Sequence, residues 1–277
     1  MSTLYLAATP IGNLEDITLR VIRILKEVPL IAAEDTRKTS KLLQKYQINT
    51  PLTAYYDHNK SKQTPQLVQH LNRNDLALVS DAGTPGVNDP GYTLVKAALE
   101  AGHQVVPLPG PSAPIAALSA SGLPTDRFLY LGYLPRKSKA RRDLITQYRD
   151  FPHTIILLET PHRLVESLDD LLEILDNRQV VIAREMTKLH EEIFRGSITA
   201  ALDSFKAGKI KGEITLVIAG SNLDNSKWSR KQLLKVIDNK LQASAPSPSR
   251  LAKDLAEESG WPRSEIYQLI LEQSQNQ

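Results

Sequence analysis

The chain has 277 residues, with 34 Lys plus Arg against 31 Asp plus Glu, a formal net charge of +3. Hydrophobic residues make up 41% and charged residues 23%, which excludes a wholly disordered chain. At ~100–200 residues per domain the length gives one large or two modest domains. There is no cysteine, so disulfides, thiol nucleophiles, iron–sulfur clusters and Cys-based zinc sites are removed together. No apolar run approaches the ~18 residues of a spanning helix, and Met1–Leu6 enters strand-like sequence without a basic leader. No signal peptide, no membrane and a cytoplasmic location are expected.

In chain order, Leu4–Ala8 is a short apolar strand broken at Pro10 and Gly12, and Ile17–Lys26 carries helical periodicity. Leu30–Ala33 is a second buried strand, followed by a polar helix over Thr36–Tyr46. Leu76–Val79 is a strand, Gly91–Ala101 a helix and Gln104–Val106 a strand; Ser112 is placed to cap a small-residue helix running to Ala120. A second set begins at Phe128–Leu131 and contains strands at 154–158, 180–183 and 213–219, with a helix over 163–175. A further strand at 192–195, in a hairpin-like arrangement, would make this second sheet mixed. Continuous apolar strands alternating with helices define an α/β chain. The pattern breaks at Gly122 and Pro124, so domains are expected at 1–121 and 122–221. A polar linker at 221–230 leads to a helical tail, 222–277, with helices at 231–241, 250–259 and 264–272. Gly260-Trp261-Pro262 between the last two gives a helix-turn-helix-like pair.

From Pro135 to Arg149 the basic residues Arg136, Lys137, Lys139, Arg141, Arg142 and Arg149 face one acid, Asp143. The two readings are a solvated helix face and a phosphate-binding stretch. There is no G-x-G-x-x-G, no G-x-x-x-x-G-K-[ST] and no G-x-S-x-G, and the six histidines form no H-x-x-x-H pair, so no metal is expected. What the strand ends do carry is a set of Gly/Pro turns: 9–14 (TPIGNL), 80–86 (SDAGTPG) and 109–113 (PGPSA). Such turns bring backbone close to a ligand, and a turn that opens a helix offers free N–H donors. Open α/β sheets bind ligands beyond the carboxyl ends of their strands.

These three turns, with Ala33-Glu34-Asp35-Thr36-Arg37, Glu159-Thr160-Pro161-His162-Arg163 and Arg184-Glu185-Met186-Thr187-Lys188, closely resemble the bacterial small-subunit (16S) ribosomal RNA cytidine 2′-O-methyltransferases, within the tetrapyrrole methylase superfamily. The resemblance runs in order over about residues 3 to 220, and the tail is similar to the extension of family members. It implies two α/β domains with a cofactor cleft between them, S-adenosylmethionine bound there, a homodimer, and methylation of a cytidine ribose in the decoding region of small-subunit RNA. Carried across residue by residue, it implies cofactor contacts at Pro10, Gly12, Asp81, Ala82, Gly83, Val87, Ser112, Ala113, Leu158, Ala183, Glu213, Ile214 and Thr215. For Leu158 and Ala183 an ordinary core position is the competing reading. A helix opening at Ser112-Ala113 would favour the methionine carboxylate.

A neutral ribose hydroxyl is a poor nucleophile, so alignment and a positioned base are needed. The base candidates are Asp35, His58, Asp81, Glu185 and Lys188, unranked by sequence. Arg37, Arg136, Lys137, Lys139, Arg141 and Arg142 are candidate RNA contacts, and Lys188 is an alternative phosphate-steering residue. Two rival functions remain at this point: a methyltransferase acting on a tetrapyrrole, and a non-catalytic RNA-binding assembly factor that uses the tail.

Overall fold

The computed structural model describes residues 2–206, 208, 210–221, 230–243, 247–259 and 261–275. The chain packs as two compact units, one of residues 1–146 with 153–219 and one of residues 147–152 with 220–277. The first unit holds both sheets. Its first half runs β1 (Thr3–Ala7), α1 (Leu19–Glu27), β2 (Ile31–Ala33), α2 (Thr36–Lys45), β3 (Leu52–Ala54), α3 (Lys60–Leu71), β4 (Leu76–Val79), α4 (Gly91–Glu100), β5 (Gln104–Leu108) and α5 (Ala113–Ser121). The five strands are all parallel, in the order β3-β2-β4-β1-β5. One face packs on α1 and α2 through Val21, Leu25, Leu42 and Leu43, the other on α3 and α4 through Leu67, Leu71, Leu94 and Ala98. Burial on both faces is why β2 and β4 are apolar throughout instead of alternating.

The second half runs β6 (Phe128–Tyr133), α6 (Ser138–Thr146), β7 (Thr154–Glu159), α7 (Leu164–Leu175), β8 (Gln179–Arg184), β9 (Glu192–Ser197), α8 (Ile198–Lys206) and β10 (Ile214–Ile218). The sheet order is β6-β7-β10-β8-β9, with β6 parallel to β7 and the other pairs antiparallel. The sheet is therefore mixed, and the 192–195 segment is the outer strand of a β8–β9 pair. Helix α5 follows the first sheet in sequence but packs on the second: Ala117 and Leu118 lie against Ile156, Val181, Ala183 and Val217. Gly122 ends it in the left-handed region at φ 79°, a conformation glycine adopts without a Cβ clash.

The second unit contains α9 (Arg230–Ala243), α10 (Pro248–Ser259) and α11 (Arg263–Gln275). They share their own core of Leu233, Ile237, Leu251, Leu255, Ile266 and Ile270. Most of the expected linker at 221–230, the centre of the Pro/Ser break and Gly260 lie outside the described residues. No helix among the described residues is long and apolar enough to cross a membrane.

Three elements are absent from the sequence reading: β3, α3 and α8. Strand β3 is three residues long, α3 carries Pro65 in its interior, and α8 is short. The basic stretch also divides. Arg136, Lys137 and Lys139 are exposed, whereas Arg141 is 3% exposed with its Nε 2.6 Å from Asp170 Oδ2. Arg142 is paired with Glu173 and lies 3.5 Å from Asp170 Oδ1. These two arginines fasten α6 to α7; burial takes Arg141 out of the expected phosphate contacts, while Arg142 keeps a side chain 40% exposed beside Glu173. Asp170→Ala would leave the buried Arg141 guanidinium without its hydrogen-bonded counter-ion, with only Glu166 remaining at 3.8 Å. The expected loss is about 3–5 kcal/mol, read by urea unfolding, while Lys139→Ser should stay within about 0.5 kcal/mol of wild type.

Candidate active site

The carboxyl ends of the parallel strands open onto a cavity of about 580 Å³ between the two sheets, a volume suited to a cofactor-sized ligand. Its walls come from the 80–84 turn after β4, from Glu34 and Lys38 around the start of α2, from the first residues of α5, and from β6, β7 and β10 of the second sheet. The 80–84 turn is fixed to the first loop by a reciprocal backbone pair: Thr9 N–H donates to Gly83 O and Gly83 N–H to Thr9 O, both at 2.9 Å. Gly83 needs φ 77° to make this turn.

Within the cavity, Asp81 N–H donates to Glu34 Oε2 at 3.1 Å, and Lys38 Nζ donates to Asp81 Oδ2 at 2.6 Å. The other carboxylate oxygen, Asp81 Oδ1, is buried with no hydrogen-bond partner. Burial raises the Glu34 carboxyl, against the hydrogen bond from the Asp81 backbone. The hydrogen bond to Asp81 raises Lys38, so it is held as a cation. Opposite stands the start of α5, where Ser112 occupies the N-cap position with no capping bond from its side chain. The Ala113 and Ile115 N–H groups have no earlier helical carbonyl to meet, and Pro114 has no N–H at all.

The second sheet contributes a stepped strand. The β6–β7 register slips between Tyr130 and Gly132, so Leu131 is an extra residue. Side chains three apart then share a face, and Tyr130 and Tyr133 both line the cavity with Phe128. Burial, followed by the neighbouring Tyr133, pushes the Tyr130 phenol up to about 12. Asn88 Nδ2 donates to Tyr130 Oη at 3.0 Å and lies where a Cβ on Gly132 would fall.

Beside the cavity runs the 185–188 turn. Glu185 (φ 52°) and Thr187 (φ 66°) both sit in the left-handed region, costly for a β-branched residue. The turn is held by surrounding bonds. Glu185 N–H donates to Glu213 O and Glu213 N–H to Glu185 Oε1, each at 3.0 Å. Asn13 N–H donates to Thr187 Oγ1 at 2.9 Å, tying the turn to the first loop. Lys188 Nζ lies 2.8 Å from Glu185 Oε1 and 3.3 Å from Glu213 Oε2. Burial works against the Lys188 charge, but its two carboxylates outweigh burial and raise it.

Of the expected cofactor contacts, Asp81, Ala82, Gly83, Val87, Ser112, Ala113, Leu158, Glu213, Ile214 and Thr215 line the cavity. Pro10, Gly12 and Ala183 do not. Gly12 packs on the 185–188 turn, and Ala183 is a core residue at 1% exposure, opposite Thr215 in the β8–β10 pair. Among the base candidates, Asp81 alone is on the cavity wall. Asp35 caps α2 and pairs with Arg37, whose guanidinium lowers its carboxyl to about 2. Arg37 itself is exposed. His58 is exposed, edge-on to Tyr56, and Glu185 is committed to Lys188. Sequence reasoning missed Lys38, Asn88, Tyr130 and Tyr133 as cavity residues, and took Glu34 only as part of a motif. No group of three or more His, Asp or Glu among the described residues is placed to hold a metal.

The family model described as Tetrapyrrole (Corrin/Porphyrin) Methylases matches residues 3–202. The chain belongs to that family. Among curated members, a Synechocystis protein named Ribosomal RNA small subunit methyltransferase I is 46% identical over 274 residues, 98% of each chain. An Escherichia coli O157:H7 protein of the same name is 45% identical, covering 98% of this chain and 95% of its own. Among solved structures, the methyltransferase CobJ has a TM-score of 0.60 at 17% identity, covering 80% of this chain and 95% of its own. Uroporphyrin-III C-methyl transferase from Thermus thermophilus, solved with S-adenosyl homocysteine, has a TM-score of 0.56 at 19% identity over 79% of this chain and 97% of its own. At these identities the solved structures establish the shared two-sheet fold.

In this family member the first loop and the 185–188 turn are packed to contact. A Cβ on Gly12 would lie 2.6 Å from both Lys188 Cγ and Thr187 Oγ1 and 2.9 Å from the Met186 carbonyl. Gly12→Ala should therefore force the two apart at a cost of about 1–3 kcal/mol, measured as a lower midpoint in guanidinium unfolding. An unchanged midpoint would mean that the two segments are not packed in this way.

Proposed function

We propose that this chain transfers the methyl group of S-adenosylmethionine to the 2′-hydroxyl of a cytidine in the decoding region of small-subunit ribosomal RNA. The geometric observation that carries the reading is the pairing, in one cavity, of a buried unpartnered carboxylate oxygen on Asp81 with the free N–H groups that open α5. An amino-acid end needs that combination, a carboxylate for its ammonium and N–H donors for its carboxylate. The name shared by relatives at 45–46% identity supplies the RNA, and the resemblance of the sequence motifs supplies the cytidine 2′-hydroxyl.

When bound, S-adenosylmethionine supplies an electrophilic methyl group on a cationic sulfur. The residues of the chain hold, orient and shield. Asp81 and the α5 N-terminus would take the methionine end, and Leu158 with Glu213, Ile214 and Thr215 the adenosine side. Tyr130, Tyr133 and Phe128 narrow the cavity from the second sheet. Alignment of this kind can supply ~7–11 kcal/mol of barrier reduction. Lys188, cationic between two carboxylates, and Asp35, paired with Arg37, are poor proton acceptors as they stand.

The exposed residues Arg136, Lys137 and Lys139, with Arg37, are our candidates for phosphate contacts. We take 1–121 and 122–221 as the two α/β domains and 222–277 as a docking unit. A Thermotoga maritima relative of the same name is 46% identical over 221 residues, 79% of this chain and 99% of its own length, a match as long as the body without its tail. A homodimer and a cytoplasmic location complete the proposal.

Labelled methyl transfer to small subunits lacking the modification, with the labelled nucleotide mapped, tests the function; label outside a cytidine ribose would overturn it. Asp81→Ala combined with Gly83→Val should abolish cofactor binding by calorimetry, and transfer with it, while far-ultraviolet circular dichroism stays native. Serine at positions 136, 137 and 139 should leave cofactor affinity intact. It should also flatten the log–log salt dependence of RNA binding by roughly 0.7–0.9 per lost contact. An unmoved slope would return this stretch to the role of a solvated surface.

A further inference from the structure

The Asp81 carboxylate is asymmetric in a way that the site described so far leaves unused. One oxygen is buried in the cavity and unpartnered; the other is held at 2.6 Å by Lys38, whose side chain is 60% exposed. The two partners differ in freedom. Asp81 is fixed at its backbone by the N–H bond to Glu34, at the end of a buried strand. Lys38 sits on the first turn of α2 on a four-carbon stem, with Arg37 beside it in solvent. An ion pair this exposed is held weakly in water. A second cation arriving at Asp81 would be repelled by Lys38 at short range, and of the two groups already there only Lys38 can leave without disturbing a strand end.

We infer that Lys38 is a displaceable counter-ion: the ammonium group of the methyl donor takes over Asp81, and the released Lys38 ammonium turns outward to contact a phosphate of the RNA. The inference rests on Asp81 being the ammonium partner, as proposed above, and goes beyond it by coupling the two substrates. Before the donor binds, Lys38 is neutralised by Asp81 and contributes little to RNA binding. After the donor binds, it adds one phosphate contact. By linkage, RNA must tighten donor binding by the same factor. The chain thus favours RNA when it is already loaded with donor.

The test measures binding of unmodified small subunits over a potassium chloride series at fixed magnesium, with and without saturating S-adenosylhomocysteine. That product keeps the ammonium group and transfers no methyl. In the wild type the log–log salt slope should steepen by roughly 0.7–0.9 when S-adenosylhomocysteine is present, the increment of one phosphate contact. In Lys38→Met it should not steepen, while calorimetry finds S-adenosylhomocysteine bound at least as tightly as in the wild type. Three results would overturn the inference while leaving the donor site standing: no steepening in the wild type, equal steepening in Lys38→Met, or a tenfold loss of S-adenosylhomocysteine affinity in Lys38→Met. Undiminished affinity in Asp81→Asn would instead overturn the donor site itself, and the inference with it.

Discussion

A parallel sheet covered on both faces can meet a ligand only at its ends. All five strands of the first sheet run the same way, so their carboxyl ends share one edge, and Thr9, Glu34, Asp81 and the 109–113 turn reach the same region from separated parts of the chain. The reciprocal Thr9–Gly83 backbone pair then locks two of these turns together. Every polar group on the cavity floor depends on that edge staying in register. The core residues beneath it, such as Leu4, Leu76 and Ala77, are fully buried and tolerate little shift.

The second sheet is held against this edge by two devices of different character. Helix α5 is an apolar link, with its first residues at the cavity and Ala117 and Leu118 in the core of the second sheet. The 185–188 turn is a polar link, strained at two residues and stabilised by Asn13, Glu213 and Lys188. The apolar contact resists separation of the sheets, and the directional bonds restrict sliding. Strain of this sort persists only where surrounding bonds over-determine it.

The turns at the strand ends were legible in the sequence because glycine and proline mark them, and the strands because burial on both faces makes them continuously apolar. Legibility failed where the information was not local. Lys38 lies on a polar helix and reads as a solvated residue; only the path of β4 brings Asp81 to it. In the same way, charge composition grouped Arg141 with Lys139, though they are two positions apart on α6 and differ in facing. One is exposed, and the other is buried against Asp170. Gly12 carried a correct signal of close approach, but the approach is to the 185–188 turn and not to the cavity. Helix α3 was hidden by Pro65, which sits exposed in its interior while Thr64, Leu67 and Leu71 are buried.

The extra residue in β6 changes what the chain must specify at that strand. Without the slip at Leu131, Tyr133 would point to the opposite side of the sheet from Phe128 and Tyr130. The three rings therefore share the cavity because of a count of residues, not because of any one side chain between them. Exchange of Leu131 for another apolar residue preserves that count. Loss of Leu131 itself would leave Tyr130 and Tyr133 two apart in a regular strand and still on one face, whereas keeping the residue and losing the slip would turn Tyr133 outward with every amino acid of the wall still in the sequence.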